Sequence, residues 1–369
     1  MRIAVNARSL ILDQFDDTAW FTWETFSRLA PVHPRDEFLF LSDHPIDRRF
    51  LISPNITPVL IRPAINFPLA RKIWFERRIP LMLKNLQASV FFSPDGWMPG
   101  KTWVKSCLIM AGSFDPHDPG TKPGSMEYVR FARSATRILA VSGSAGKHII
   151  AATGIQENKI TVIQAGVSQG FKQLNWEERE AVKQRFAGGR EYFIYAGLLS
   201  KQSNILRLLK AFSLLKRKHQ SNMRLVLAGE INGKSREILS ALRSFHFREE
   251  VILTGNAPLE TLQQLIGAAY CLVYPSFSAG YSISLAQAMR CGVPVAASAT
   301  GSPREVGGDA LLYFDPLDPK DMAEKMGMLY RDERLKGRLI TAGLERSAGW
   351  TWEKAASNLW ECLLGTAAS

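Results

Sequence analysis

The sequence predicts an α/β chain built from two doubly wound domains, and three observations carry that prediction. Short apolar runs alternate with amphipathic stretches from the first residues to about position 163. A polar bridge follows at 165–190, and the same alternation then restarts at 192. Repeated strand–helix alternation implies parallel sheets with helices on both faces.

In the first series, strands read at Ile3 to Val5, Glu37 to Leu41, Val59 to Ile61, Val90 to Phe92, Cys107 to Met110, Arg137 to Val141 and Ile160 to Ile163. Helices read at about 18–30, 70–86, 124–135 and 143–153. Within the bridge, Asn175 is placed to cap a helix from Trp176 to Phe186, and Gly188-Gly189 to end it. The second series has strands at 192–197, 223–229, 251–255, 271–276, 293–298 and 310–314. Its helices fall at about 203–218, 234–246, 259–269 and 284–291, with more at 318–347 and 351–364. Ligands of such sheets bind outside the carboxyl ends of the strands, so the loops there are the expected site.

Composition narrows the function classes. Four cysteines without C-x-x-C spacing, two of them in strand-like runs, read as buried free thiols of a reducing compartment. The opening MRIAVNARSL is too short an apolar run for a signal peptide, and no stretch reaches the ~20 apolar residues of a spanning helix. The expectation is a cytoplasmic protein. The formal net charge of +12 suits an anionic partner. No zinc-finger spacing or RNA-binding signature accompanies it, so nucleic acid is not expected.

The most informative segment is 271–316, CLVYPSFSAGYSISLAQAMRCGVPVAASATGSPREVGGDALLYFDP. A strand ends at Pro275-Ser276, a loop containing Gly280 follows, and a helix begins near Ser284. Backbone N–H groups at such a helix start favour anions. The turn Thr300-Gly301-Ser302 offers further N–H groups and hydroxyls.

This segment resembles the nucleotide-sugar-binding half of the family 4 retaining glycosyltransferases, which have the GT-B fold. The resemblance extends over nearly the whole chain, through MRIAVNARSL, RFARSATRILAVSGSAGKHII, KITVIQAGVSQGFK, YAGLLSKQSNILRLLKAF and GWTWEKAASNLWECL, in the family's order. It implies two Rossmann-like domains facing a central cleft. Residues 1–172 would form the acceptor-side domain, with a closing helix at 351–369 packed back on it, and 173–350 the nucleotide-sugar side. It also implies transfer from a nucleoside-diphosphate sugar to a glycan or lipid-linked acceptor, with no metal and no other cofactor. Donor contacts would fall on Lys201, Gln202, Ser203, Gly280, Ser282, Ser284, Gln287 and Glu305.

Several of the family's chemical positions are replaced. Its two motif glutamates correspond to Ala279 and Gln287, and only Gln287 can still accept from a ribose hydroxyl. Its diphosphate-neutralising Arg-Lys pair corresponds to Gln202 and Ser203, with Lys201 just before them. Charge-assisted contacts are roughly twice as strong as neutral ones, so the exchange weakens any grip on phosphate. Its His-Asp corresponds to Ala111 and Gly112. His117, in the loop that follows, is either a substitute or a solvated loop histidine. The glycines of its first-domain turn correspond to Asp17 and Ala19, with Asp17 either facing phosphate or capping the helix. Ala165 and Ser168 flank Gly166 where the family has Asn and Asp, whereas Glu305 matches the family's glutamate. The losses fall at chemistry and spare packing. Three functions compete: a glycosyltransferase, a non-catalytic descendant acting as a binding or partner subunit, and a nucleotide- or sugar-binding module without turnover.

Residues 62–84 place Arg71, Lys72, Arg77, Arg78 and Lys84 among Ile73, Trp74, Phe75, Ile79, Leu81 and Met82. Two readings stand for this stretch. One is a peripheral contact with an anionic membrane. The other is a core-packed helix with a solvated basic face, broken by Pro80.

Overall fold

The computed structural model describes residues 1–10, 17–65, 67–110, 124–230, 236–277 and 282–369. Among them the chain forms two compact units, Met1–Gly166 with Trp352–Ser369, and Val167–Thr351.

The first unit runs β1 (Arg2–Asn6), α1 (Asp17–Val32), β2 (Glu37–Ser42), β3 (Ile56–Leu60), α2 (Pro68–Ile73), α3 (Ile79–Asn85), β4 (Val90–Ser93), β5 (Lys105–Met110), α4 (Gly124–Ser134), β6 (Arg137–Ala140), α5 (Gly143–Thr153) and β7 (Ile160–Val162). Its strands pair in parallel in the order β3-β2-β1-β4-β5-β6-β7. The order reverses beside β1, which makes the carboxyl ends of β1 and β4 a topological switch point. Ile3, Ala4, Val5, Phe38, Phe40, Phe91 and Phe92 are fully or almost fully buried. Apolar side chains on both faces are what a sheet covered on both sides requires.

The second unit runs α6 (Trp176–Ala187), β8 (Tyr192–Ala196), α7 (Ile205–His219), β9 (Arg224–Ala228), α8 (Arg236–Arg243), β10 (Val251–Gly255), α9 (Leu259–Gly267), β11 (Cys271–Tyr274), α10 (Ile283–Arg290), β12 (Val295–Ser298), α11 (Ser302–Gly307), β13 (Leu312–Phe314), α12 (Pro319–Arg331) and α13 (Glu333–Ser347). The order β10-β9-β8-β11-β12-β13 repeats the first sheet's order from β3 to β6, without a counterpart of β7 among the described residues. The doubly wound prediction therefore holds in each unit. Asn175 and Glu178 form a reciprocal capping box on α6, and Gly188 ends that helix in the left-handed conformation. Asp332 both ends α12 and caps α13, dividing the predicted helical stretch 318–347 into two. The sequence reading missed α11, which has Pro303 in its first turn.

The last helix, α14 (Trp352–Ala368), belongs to the first unit. Trp352 meets the edge of Phe21 at 5.9 Å, Trp360 stacks on His33 at 3.7 Å, and Arg28 reaches Glu353 at 2.8 Å.

The 62–84 stretch requires a correction. Pro80 does not break the helix. A π-helical turn at Trp74–Arg78 separates α2 from α3, and Pro80 sits in the first turn of α3. The wider turn provides for the missing N–H of proline, which an uninterrupted α-helix would not tolerate. Trp74, Phe75 and Ile79 face the core, with Trp74 Nε1 donating to Ile61 O at 3.1 Å. The exposed apolar side chains are Phe67, Leu69, Ile73 and Leu81. They lie among exposed Lys72, Arg77, Arg78 and Lys84.

No helix among the described residues is long and apolar enough to cross a membrane. All four cysteines are free and buried.

Candidate functional site

In the second unit, the loops leaving β8, β11, β12 and β13 are stitched to one another at the carboxyl edge of the sheet. Asn204, just before α7, supplies the centre. Its Nδ2 donates to Pro275 O at 3.1 Å and to Pro316 O at 2.7 Å, joining three loops. Asn204 is buried and left-handed at φ 58, a conformation asparagine tolerates better than most residues. The Gln202 carbonyl accepts from Phe277 N at 3.1 Å and from Ser276 Oγ at 3.2 Å. Ser282, also left-handed, has its Oγ 2.7 Å from Ser302 Oγ and 3.4 Å from the Tyr274 hydroxyl.

Backbone geometry clears the floor of this edge. Gly197 and Gly229 follow β8 and β9 at φ 146 and 154. A Cβ on Gly229 would lie 1.9 Å from Gly197 O, so the two turns approach as closely as they do because no side chain intervenes.

The donor-side residues expected from the sequence are distributed as follows. Ser282, Ser284 and Gln287 are buried on the first turns of α10. The N–H groups of such a first turn have no intrahelical acceptor. Ser203 is buried, and its hydroxyl is engaged within its own turn, accepting from Ser200 N at 2.9 Å and lying 2.5 Å from Ser200 O. Lys201 and Gln202 are exposed. Glu305 is half-buried in α11, with its carbonyl accepting from Arg346 Nη2 at 2.5 Å. The Ser302 and Thr300 hydroxyls of the predicted turn face Ser282 and Ser298 respectively. Ala111, Gly112, His117, Ala279 and Gly280 lie outside the described residues. Asp17 begins α1, and its side chain lies outside the described set.

The sequence reading missed Asn204 and Arg207. Arg207 is half-buried one turn into α7, donating to Asn204 Oδ1 at 3.2 Å with its guanidinium carbon 5.6 Å from the Phe277 ring centroid. It brings a cation to the loops where Gln202 and Ser203 supply none. Helical spacing from Asn204 was the available signal.

A second polar cluster, also missed, sits at the switch point of the first unit. Arg8 lies after β1, Asp43 and His44 after β2, and Asp95 after β4. Arg8 Nε donates to Asp43 Oδ1 at 3.1 Å and Nη1 lies 4.0 Å from Asp95 Oδ2, while the guanidinium stacks over Trp74 at 5.4 Å. Burial by itself would raise the pKa of Asp43. The Ile65 N–H at 2.7 Å, the Arg8 charge and His44 outweigh it and hold the carboxyl below its ordinary value. Burial raises the pKa of Asp95 against the opposing Trp97 N–H and Arg8. No group of three or more potential metal ligands occurs among the described residues.

Residues 177–346 match the family described as glycosyl transferases group 1. The O-antigen chain mannosyltransferase B of Escherichia coli is 30% identical over 296 residues, covering 78% of this chain and 77% of that protein. The chain belongs to the group 1 glycosyl transferases. A second E. coli relative, the serotype-specific mannosyltransferase WbdA, is 27% identical over 243 residues. That match covers 65% of this chain but only 30% of WbdA. The Anabaena HepE structure in complex with UDP-glucose superposes with a TM-score of 0.78 at 14% identity, covering 99% of this chain and all of that one. At that identity the likeness establishes the fold, GT-B, for this group 1 member.

Proposed function

We propose that this group 1 glycosyl transferase serves polysaccharide assembly as a binding or partner subunit in which sugar transfer has been lost. One observation carries the reading. At the phosphate-facing turn before α7, the family's cations are Gln202 and Ser203, and the Ser203 hydroxyl is engaged by its own turn. Neither of these two side chains is a cation that draws charge from a departing diphosphate, and losing one such donor typically costs ~10²–10³ in rate. In sequence, Ala279 and the Ala111-Gly112 pair stand where the family has a glutamate and its His-Asp, which points the same way. The inherited donor is a nucleoside-diphosphate sugar, taken without metal. Its ribose would meet Gln287 and its phosphates the first turns of α10 and α11. The acceptor class is a glycan or lipid-linked glycan, in keeping with the mannosyltransferase names of the relatives.

The second reading, a working transferase, is favoured by Arg207, which offers a displaced cation. Melting the protein with GDP, UDP and their sugars, while measuring donor hydrolysis and transfer to a glycan acceptor, separates the two. The expected result is little or no rise in Tm and no turnover. A large rise with one nucleotide, together with turnover that Arg207→Ala abolishes, establishes the second reading instead.

The same protein is proposed to work at the cytoplasmic face of an anionic membrane. Phe67, Leu69, Ile73 and Leu81, exposed among Lys72, Arg77, Arg78 and Lys84, support this contact. Apolar side chains ringed by cations insert at headgroup depth and attract acidic lipid. Sedimentation with phosphatidylglycerol vesicles should show binding that weakens with salt. Equal recovery with and without vesicles at low salt would remove this contact.

A further inference from the structure

We propose that Cys107 and Cys362 are a thiol modification site, joined as a disulfide when a low-molecular-weight disulfide oxidises them. The two Sγ atoms are 3.3 Å apart, buried and reduced, although 255 residues separate them in sequence. Cys107 lies within β5, flanked in register by Phe92 and Arg137, and Cys362 faces it from α14. Forming the bond requires the sulfurs to close by roughly 1.2 Å, to the ~2.05 Å of a disulfide. Cys271 and Cys291 are in the second unit and have no sulfur partner among the described residues.

Accessibility divides the roles. The neighbouring Cys107 lowers the pKa of Cys362, opposed by burial and helped by Thr366, the charge of Arg137 and Thr161. The neighbouring Cys362 and complete burial raise that of Cys107. Cys362 is the more accessible of the pair, 8% exposed against 0%, so it is the sulfur that a small disulfide meets first.

The chemistry balances as two exchanges. The Cys362 thiolate attacks one sulfur of the small disulfide and forms a mixed disulfide. The other half leaves as a thiolate and takes up the proton that Cys362 released. Cys107 then loses its proton and attacks Cys362 Sγ, breaking the mixed disulfide and expelling the second half, which leaves as a thiol. Two protein thiols are oxidised and one small disulfide is reduced to two thiols. The product fastens the closing helix to the centre of the first sheet.

Incubating the protein with glutathione disulfide tests this. After denaturation, two of the four thiols should no longer titrate, the mass should fall by about 2 Da, and Tm should rise by roughly 5–10 °C in a way that reductant reverses. Cys362→Ser and Cys107→Ser should abolish the rise in Tm, while Cys291→Ser keeps it. Peptide mapping of the oxidised wild type should recover the segments holding Cys107 and Cys362 as one linked species, which does not depend on the variants folding. Four titratable thiols after oxidation, a lasting glutathione adduct on Cys362, or a linkage through Cys271 or Cys291 would each overturn the proposal.

Discussion

Replacing Asn204 with alanine should destabilise the second unit by about 3–5 kcal/mol. The magnitude follows from its surroundings. Its Nδ2 serves two carbonyls, Pro275 O and Pro316 O, in a buried position. Leaving a buried acceptor unpaired costs about 1–3 kcal/mol, and two of them at the lower half of that range give about 2–4 kcal/mol. Alanine at φ 58 adds about 1 kcal/mol for the left-handed conformation. Two further variants separate these contributions. Asn204→Gly removes the hydrogen bonds and relieves the backbone, so it should be about 1 kcal/mol more stable than the alanine variant. Asn204→Asp keeps the shape but replaces the donor with an acceptor facing two carbonyls, and it should be at least as damaging as alanine. Urea unfolding followed by tryptophan fluorescence measures all three, with a shifted midpoint and an unchanged slope. A loss below about 1 kcal/mol for Asn204→Ala, or a glycine variant no better than alanine, would refute the assignment of Asn204 as the clasp of these loops.

Gly229→Ala should cost more than about 3 kcal/mol, because its new Cβ meets backbone at Gly197 rather than a side chain that can turn away. A melt within about 1 kcal/mol of wild type would contradict that close approach. Asp43 makes stability depend on acid. Its folded pKa lies below its ordinary value of 3.8, so its contribution is present above that pH and is lost as pH falls through the folded value. The gap in Tm between wild type and Asp43→Asn should therefore be open at neutral pH and narrow below about pH 4. A gap that stays constant down to pH 2.5 would rule out that linkage.

The candidate site was partly readable in advance. Gln287, Ser282 and Ser284 were named from their place before and within a helix that follows a buried strand, and they lie on that helix start. Asn204 and Arg207 were not, because their roles depend on carbonyls and a ring that are some seventy or more residues away in sequence. The Arg8, Asp43 and Asp95 cluster escaped for the same reason, since three strand ends must be brought side by side before their charges meet. In the 62–84 stretch, interleaved charge and apolarity identified an amphipathic element. The sequence did not tell which apolar residues face outward, and a π turn moved Trp74 and Phe75 into the core.

By itself the sequence determined the strand–helix rhythm, the caps at Asn175 and Gly188, the doubled α/β architecture and the group 1 glycosyl transferase family. These rest on local periodicity, turn chemistry and motif order, each readable within a few residues. Tertiary structure alone decided which loops share hydrogen bonds, which cations reach the carboxyl edge, and that two thiols 255 residues apart lie within contact. Those are pairings between distant segments, fixed only when parallel strands align and bury their apolar faces together.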